Sequence, residues 1–227
     1  MLTVLYEDNH CLAVVKPAGL STQAPPGLPS LEATARAYLK EKYHKPGNVY
    51  LGIVHRLDKP VSGVLMFART SKAAARLAQQ FRAGTVEKVY WAVVEGAVAR
   101  PAGSLEDWLR KDRDAGRVEV VPPGTEGARQ ALLHYHCRAV HGGLTWLEVR
   151  PQTGRTHQLR VQLAHHARPV YGDARYGGVH TFGRAIALHA RALTFLHPVR
   201  NEPITLTAEV PRPWRGRFAY LFREARL

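Results

Sequence analysis

Chemistry on this chain can be built first around Asp58. It lies in Gly52-Ile53-Val54-His55-Arg56-Leu57-Asp58-Lys59-Pro60-Val61-Ser62-Gly63-Val64-Leu65-Met66-Phe67-Ala68-Arg69, where two short apolar segments, 52–54 and 64–68, flank a polar loop. An imidazole, a guanidinium and a carboxylate fall within four residues of each other there, at His55, Arg56 and Asp58. Pro60 and Gly63 punctuate the loop, which puts Asp58 where the chain leaves a sheet and turns back. A loop anchored by strands is where a rigid scaffold presents reactive groups. Taken alone, the stretch fits equally a turn acid that pairs with Arg56 or Lys59.

A second constellation is Arg150-Pro151-Gln152-Thr153-Gly154-Arg155-Thr156-His157-Gln158-Leu159-Arg160-Val161-Gln162-Leu163, which reads as a strand, a glycine turn and a helix start. The predicted helix runs from His157 to about His166, ended by Pro169, with Thr153 or Thr156 as its cap. Its free amides and dipole favour an anion. Arg160 shares a face with Thr156 and His157, and Leu159 and Leu163 point to the core. A solvated helix arginine fits Arg160 as well. A third element, Glu87–Glu95, is rich in β-branched and aromatic residues and predicts a strand, with Tyr90 and Trp91 on opposite faces.

Two other clusters carry less. His134, His136 and Cys137 suggest zinc, but no second pair at ligand spacing completes a site, so no metal is expected. His165 and His166 end a helix, where positive charge is favourable anyway. No glycine-rich phosphate loop follows a strand into a helix, so no nucleotide cofactor is expected.

The elements that must position these groups follow from periodicity and punctuation. Thr3–Glu7 and Cys11–Lys16 predict two strands joined at a polar turn, and Ser30 caps a helix from Leu31 to about Tyr43. Ser71 caps a helix to about Arg82, with Ala74, Leu77, Ala78 and Phe81 buried and Gly84 past its end. Residues 100–123 predict a strand pair carrying Lys111, Arg113 and Arg117. Hairpins are expected over 130–150, across His141-Gly142-Gly143, and over 190–209, around His197-Pro198. A tail helix, about Trp214 to Glu224, comes with Arg212, Arg215, Arg217, Arg223 and Arg226. Strands succeed each other mostly by hairpins, so the class is α+β with a mixed, mostly antiparallel sheet. No linker separates two independent domains.

Charge names a partner class. Thirty-two Lys and Arg against eighteen Asp and Glu give +14, and the 227 residues have a pI near 10.2. That excess favours a polyanion, nucleic acid first. Cys11 and Cys137 sit in apolar strand-like runs and read as reduced, buried and structural. The N-terminus shows no basic region followed by an apolar core, and no apolar run nears the ~20 residues of a membrane span. A soluble, cytoplasmic protein is expected.

Together the motifs resemble one family. His55-Arg56-Leu57-Asp58, followed by Ser62-Gly63 and an apolar strand, is similar to the signature of the RluA-type RNA pseudouridine synthases. Gly154-Arg155-Thr156-His157-Gln158-Leu159-Arg160-Val161 resembles their later motif, followed by Arg168-Pro169-Val170 and Gly172-Asp173-Ala174-Arg175-Tyr176-Gly177. Lys88-Val89-Tyr90, the early Leu12-Ala13-Val14-Val15-Lys16-Pro17-Ala18-Gly19 and the late Leu188-His189-Ala190 also fit, in the family's order. One departure is Pro60-Val61, which stand where the family commonly has a hydroxyl-bearing pair. This bears on hydrogen bonding in the loop and leaves the acid in place. Many relatives carry a small basic RNA-binding domain ahead of the catalytic portion, and here nothing is expected before Leu2 to supply one.

The resemblance implies a pseudouridine-synthase fold over residues 1–227, one catalytic domain with flanking helices and a central cleft. It implies an isomerase that converts uridines of ribosomal RNA, transfer RNA or both, without metal or cofactor, with a monomer the default. Asp58 is then the nucleophile, acting at the sugar C1′ or through a glycal; Arg160 is its counter-ion and Tyr90 the base for the C5 proton. Arg56 fills the space left by the flipped uridine, and His55 is structural or contacts phosphate. Arg155, Arg168 and the tail arginines are expected RNA contacts. The chemistry explains the pairing: a carboxylate in a water-excluding pocket protonates unless a cation stands beside it, and a guanidinium suits that better than an amine. Two rivals remain at this level. One is an idle RNA-binding protein that keeps the fold; the other is a nucleoside hydrolase, which would call for a second carboxylate near Asp58.

Overall fold

A computed structural model describes residues 2–112, 116–166 and 168–224; Arg113 and Arg226 lie outside them. The described residues form two compact units, each made of more than one chain segment: Met1–Lys88 with Ala190–Val210, and Val89–His189 with Pro211–Leu227.

In the first unit the sheet runs β1 (Val4–Glu7), β2 (Cys11–Lys16), β4 (Ser62–Ala68), β10 (Leu188–Leu196) and β11 (Pro203–Thr207), with short β3 (Gly52–Ile53) also beside β4. The pairs β1/β2, β2/β4, β3/β4 and β10/β11 are antiparallel. β4 is buried along its whole length, as a near-continuous apolar run Ser-Gly-Val-Leu-Met-Phe-Ala demands. Gly63 lets β10 approach: its φ is +124°, and a Cβ there would stand 2.3 Å from the Ala190 carbonyl oxygen. Cys11, Ala13, Val64 and Met66 pack with Leu77, Phe195 and Leu206 in the core.

Helix α1 (Leu31–Lys42) starts at Ser30, whose Oγ accepts from Ala33 N at 3.1 Å. Helix α2 (Ser71–Ala83) is capped by Thr70, one residue before the expected Ser71, with Thr70 Oγ1 accepting from Ala73 N. Its end at left-handed Gly84 is as read.

In the second unit the strand order is β5 (Glu87–Glu95), β9 (Leu144–Pro151), β8 (Arg129–His141), β6 (Ala102–Asp112), β7 (Arg117–Val121), every pair antiparallel. Helix α3 (Gln158–His165) covers one face, where Val161 meets Leu109, Val118 and Ala131. The tail is two short helices, α4 (Arg212–Arg217) and α5 (Ala219–Glu224), not one: the chain leaves helical geometry at Phe218, φ −121° and ψ 16°. Phe222 packs on Trp91 and Trp146, covering part of the other face. Cys137 is half-buried, contrary to expectation, because a register shift at Cys137/Ala139 disturbs the ladder there. Among the described residues no helix is long and apolar enough to cross a membrane.

Candidate functional site

The Asp58 loop is clamped on both sides of the acid. Before it, Thr22, buried, accepts from Leu57 N at 3.2 Å and donates to Leu57 O at 2.9 Å. After it, the Lys59 carbonyl accepts from Gly19 N at 2.8 Å and from Lys16 Nζ at 3.1 Å. Val61 N donates to Asp58 O at 3.0 Å, closing the turn, so the Pro60-Val61 departure keeps a backbone bond. The Asp58 side chain is half-buried, while Arg56 and Lys59 are exposed.

Lys16 is the unusual member. It is wholly buried, and Nζ donates to Pro17 O (3.0 Å), Leu20 O (2.6 Å) and Lys59 O. Burial pushes its pKa down to about 8, with the Asp58 carboxylate acting in the opposite sense. Lys16 thus ties two loops together and sets a positive charge behind the acid. No sequence signal marks a strand-end lysine as buried; only its place in the apolar run 11–16 hinted at it.

His55 Nε2 accepts from Met66 N at 3.0 Å, and the ring stacks on Phe81 at 4.7 Å. Burial, with Lys88 adding positive charge nearby, pushes its pKa down to about 4. The ring is neutral at pH 7. That environment fits the structural alternative for His55.

In the second unit, Tyr90 pairs with Val149, and the ladder carries that face on through Tyr135 to Gly103 and, two residues along, to Leu133 and Leu105. This is the face that α3 covers; Trp91, paired with Glu148, lies on the other. Arg160, on α3, is buried, and its Nε and Nη2 donate to Asp173 Oδ2 and Oδ1 at 2.7 and 2.8 Å. The guanidinium also lies 5.0 Å over the Tyr176 ring. Tyr176 Oη accepts from Val118 N at 3.1 Å and bonds His157 Nδ1 at 2.7 Å. Asp173 was in a matched motif but had no role there; a bidentate partner thirteen residues on leaves no periodic trace.

The expected cap of α3 is corrected. His157 holds the N-cap position in left-handed geometry, φ 52°, with no side-chain cap bond. Thr156 is exposed, and Thr153 Oγ1 serves Leu132 N and Gln158 Oε1 instead. Arg155 precedes the helix with Nε on Gln130 O at 2.9 Å; Arg168 follows it, its side chain beside Gly96.

His134 and Cys137 fall on opposite faces of β8, so that trio does not converge. Asp8, Cys11 and His197 do converge, with ligand-type atoms within 4.8 Å. Their hydrogen bonds are spoken for: His197 Nε2 meets Asp8 Oδ2 at 2.7 Å, and His197 Nδ1 accepts from Val199 and Arg200 amides. Burial pushes the Cys11 thiol up to about 12, so it stays protonated. The trio is a clasp between β2 and the β10–β11 turn.

A family profile for RNA pseudouridylate synthase matches residues 10–165. Ribosomal large subunit pseudouridine synthase D of Xanthomonas campestris is 39% identical over 92% of this chain and 66% of its own length. tRNA pseudouridine synthase C of Yersinia pestis is 30% identical over 95% of the chain and 89% of its own. The chain spans about two thirds of the length of the Xanthomonas protein. Among solved structures, human RNA pseudouridylate synthase domain containing 4 superposes with a TM-score of 0.79 at 23% identity, over 99% of this chain and 93% of that one, which supports the fold. With the Asp58 loop and the Arg160 helix both in place within the matched span, the chain belongs to the RNA pseudouridylate synthases, of the RluA type.

Proposed function

We propose that this protein isomerises specific uridines to pseudouridine in ribosomal RNA, transfer RNA or both, the two substrates named by its relatives. The observation that carries the reading is the Asp58 turn, clamped through Leu57 and Lys59 and backed by the buried Lys16 charge. A carboxylate held this way can meet a reacting carbon without first being reorganised.

In this reading the N1–C1′ bond of the uridine breaks, with Asp58 bonding to C1′ or working through a glycal. The detached uracil rotates and rejoins through C5. The C5 proton leaves to Tyr90, directly or as a shuttle, and N1 gains one, so the product is an isomer and nothing else is consumed. Arg160, oriented by Asp173, is the counter-charge for Asp58. The target base is extruded from its stack, with Arg56 filling the gap and Arg155 and Arg168 on phosphates. His55 acts structurally. The reaction uses neither metal nor cofactor, and the single catalytic domain comprises both units.

The decisive experiment maps pseudouridines in total RNA from cells with and without the gene, complemented by wild type or Asp58→Asn. The expected result is loss of specific sites, restored by wild type alone, while Asp58→Asn binds RNA within about threefold of wild type, because the basic surface is intact. Full turnover by Asp58→Asn would remove the nucleophile assignment; an unchanged pseudouridine map would remove the function.

A further inference from the structure

Arg217, on α4, is held by a buried tyrosine. Its Nε and Nη2 donate to Tyr171 Oη at 3.0 and 2.6 Å, and its guanidinium lies 5.7 Å over the same ring. Tyr171 is itself buried at 2% exposure, fixed edge-on by Phe218 and Phe182 and stacked on His180 at 4.6 Å. Arg217 is exposed. A guanidinium oriented by a neutral hydroxyl keeps its full charge for a ligand, and orientation in advance reduces the entropy lost on binding.

The open cleft beside it measures about 480 Å³. Its walls are the Gly142–Leu144 turn, Tyr171, His180, Arg217 and Tyr220. The turn's two glycines adopt φ 58° and 73° and bring no side chain into the opening. Glu95 is spent on the wall: its Oε1 sits 3.0 Å from His180 Nδ1, and its oxygens accept the Val179 and His180 amides. Tyr220 is 37% exposed, its ring 5.1 Å from His141. An anion site flanked by exposed aromatic rings matches the chemistry of an unpaired nucleotide.

We infer that this cleft is an RNA subsite for one unpaired nucleotide, its phosphate on Arg217 and its base against Tyr220 and His180. The inference rests on the RNA-modifying reading and adds a contact that uses none of Asp58, Tyr90 or Arg160. It also separates Arg217 from Arg212, which is exposed on the same helix and lines no part of the cleft.

The test measures binding of a short fluorescein-labelled oligouridylate across a salt series, with inorganic polyphosphate as a competitor that has charge but no bases. Arg217→Gln should weaken oligouridylate binding roughly tenfold and flatten the salt slope by about 0.7, the value of one lost phosphate contact on a single strand. Arg212→Gln should stay within about twofold. Tyr220→Ala should weaken oligouridylate several-fold and leave polyphosphate competition unchanged. Arg217→Lys, which keeps the charge without the fork, should fall between wild type and Arg217→Gln, and guards against a folding defect in the glutamine variant. Equal effects of Arg217→Gln and Arg212→Gln, or a Tyr220→Ala that binds like wild type, overturn the subsite. A wild type that forms pseudouridine yet ignores Arg217 loses only the subsite; one that neither binds nor modifies RNA loses the proposed function as well.

Discussion

Lys16 should make this protein more stable as the solution becomes more alkaline, across a window where most lysines do nothing. Its ammonium is wholly buried, and its pKa is pushed down to about 8 from an ordinary 10.5. Below pH 8 the group is charged in both states, and the folded state bears the full desolvation cost. Between pH 8 and 10.5 the unfolded chain binds more protons than the native one, so unfolding free energy rises with pH. Above 10.5 both forms are neutral and the rise ends. A displacement of about 2.5 pKa units corresponds to about 3 kcal/mol. Lys16→Met abolishes this titration. It also takes the donor from the Pro17, Leu20 and Lys59 carbonyls, a pH-independent loss on the order of 1–3 kcal/mol. The absolute stability of the variant at neutral pH is therefore uninformative, and the pH dependence is decisive.

The assay is denaturant unfolding of wild type and Lys16→Met from pH 7 to 11, taking the difference at each pH so that other titrating groups cancel. The difference should grow in favour of wild type by about 3 kcal/mol across the window. A flat difference would refute the reasoning, because it would mean the buried charge is not desolvated. A second arm uses Asp58→Asn. The Asp58 carboxylate acts to raise the Lys16 pKa, so its removal should start the rise at lower pH. An unmoved onset would mean that the lysine and the acid do not sense each other.

The remaining expectations concern Arg160 and Gly63. Asp173→Asn, which leaves a buried guanidinium without its bidentate carboxylate, should cost roughly 3–5 kcal/mol in denaturant unfolding, and a loss below about 1 kcal/mol would show that solvent screens the pair. Arg160→Lys keeps the charge but loses the fork, so single-turnover assays should show at least a tenfold drop in rate with a smaller fractional loss of stability; full activity would sever Arg160 from catalysis. Gly63→Ala should destabilise by on the order of 3 kcal/mol in denaturant unfolding, since the new methyl meets the β10 backbone, whereas Gly27→Ala, at φ 84° in open space, should cost about 1 kcal/mol in the same assay. Similar losses at the two glycines would assign the effect to φ alone.

The strands were legible because apolar runs and turn residues mark them locally: β2 and β5 fall on the predicted bounds. Helix starts were harder. Thr70 and Ser71 offer the same hydroxyl, and only the extended backbone at Thr70, φ −136°, decides which one caps α2. At α3 the tertiary structure took the candidates away, since Thr153 is used by β8 and His157 is forced into a left-handed turn. Asp58, Tyr90 and Arg160 enter the proposed chemistry through motif spacing alone. Their supports could not be read that way: Lys16 is a residue type that belongs on the surface, and its burial depends on carbonyls contributed by residues 17, 20 and 59.

The two charged groups on which the proposed chemistry depends share one design, each within its own unit. Asp58 stands on a turn whose neighbours are held by Thr22, Gly19 and a buried cation; Arg160 is gripped on one edge by a buried anion. Each charge in that proposal thus has an opposite charge that the fold sets beside it before any substrate arrives. An exposed carboxylate or guanidinium would have to lose water and rotamer freedom during the reaction, and that cost would enter the barrier. Here it is met in folding, which is why removing the buried carboxylate of Asp173 is set to cost stability. Lys16 shows the exchange most directly: its desolvated charge weakens the fold at neutral pH, and the same charge is the one the fold sets behind the acid.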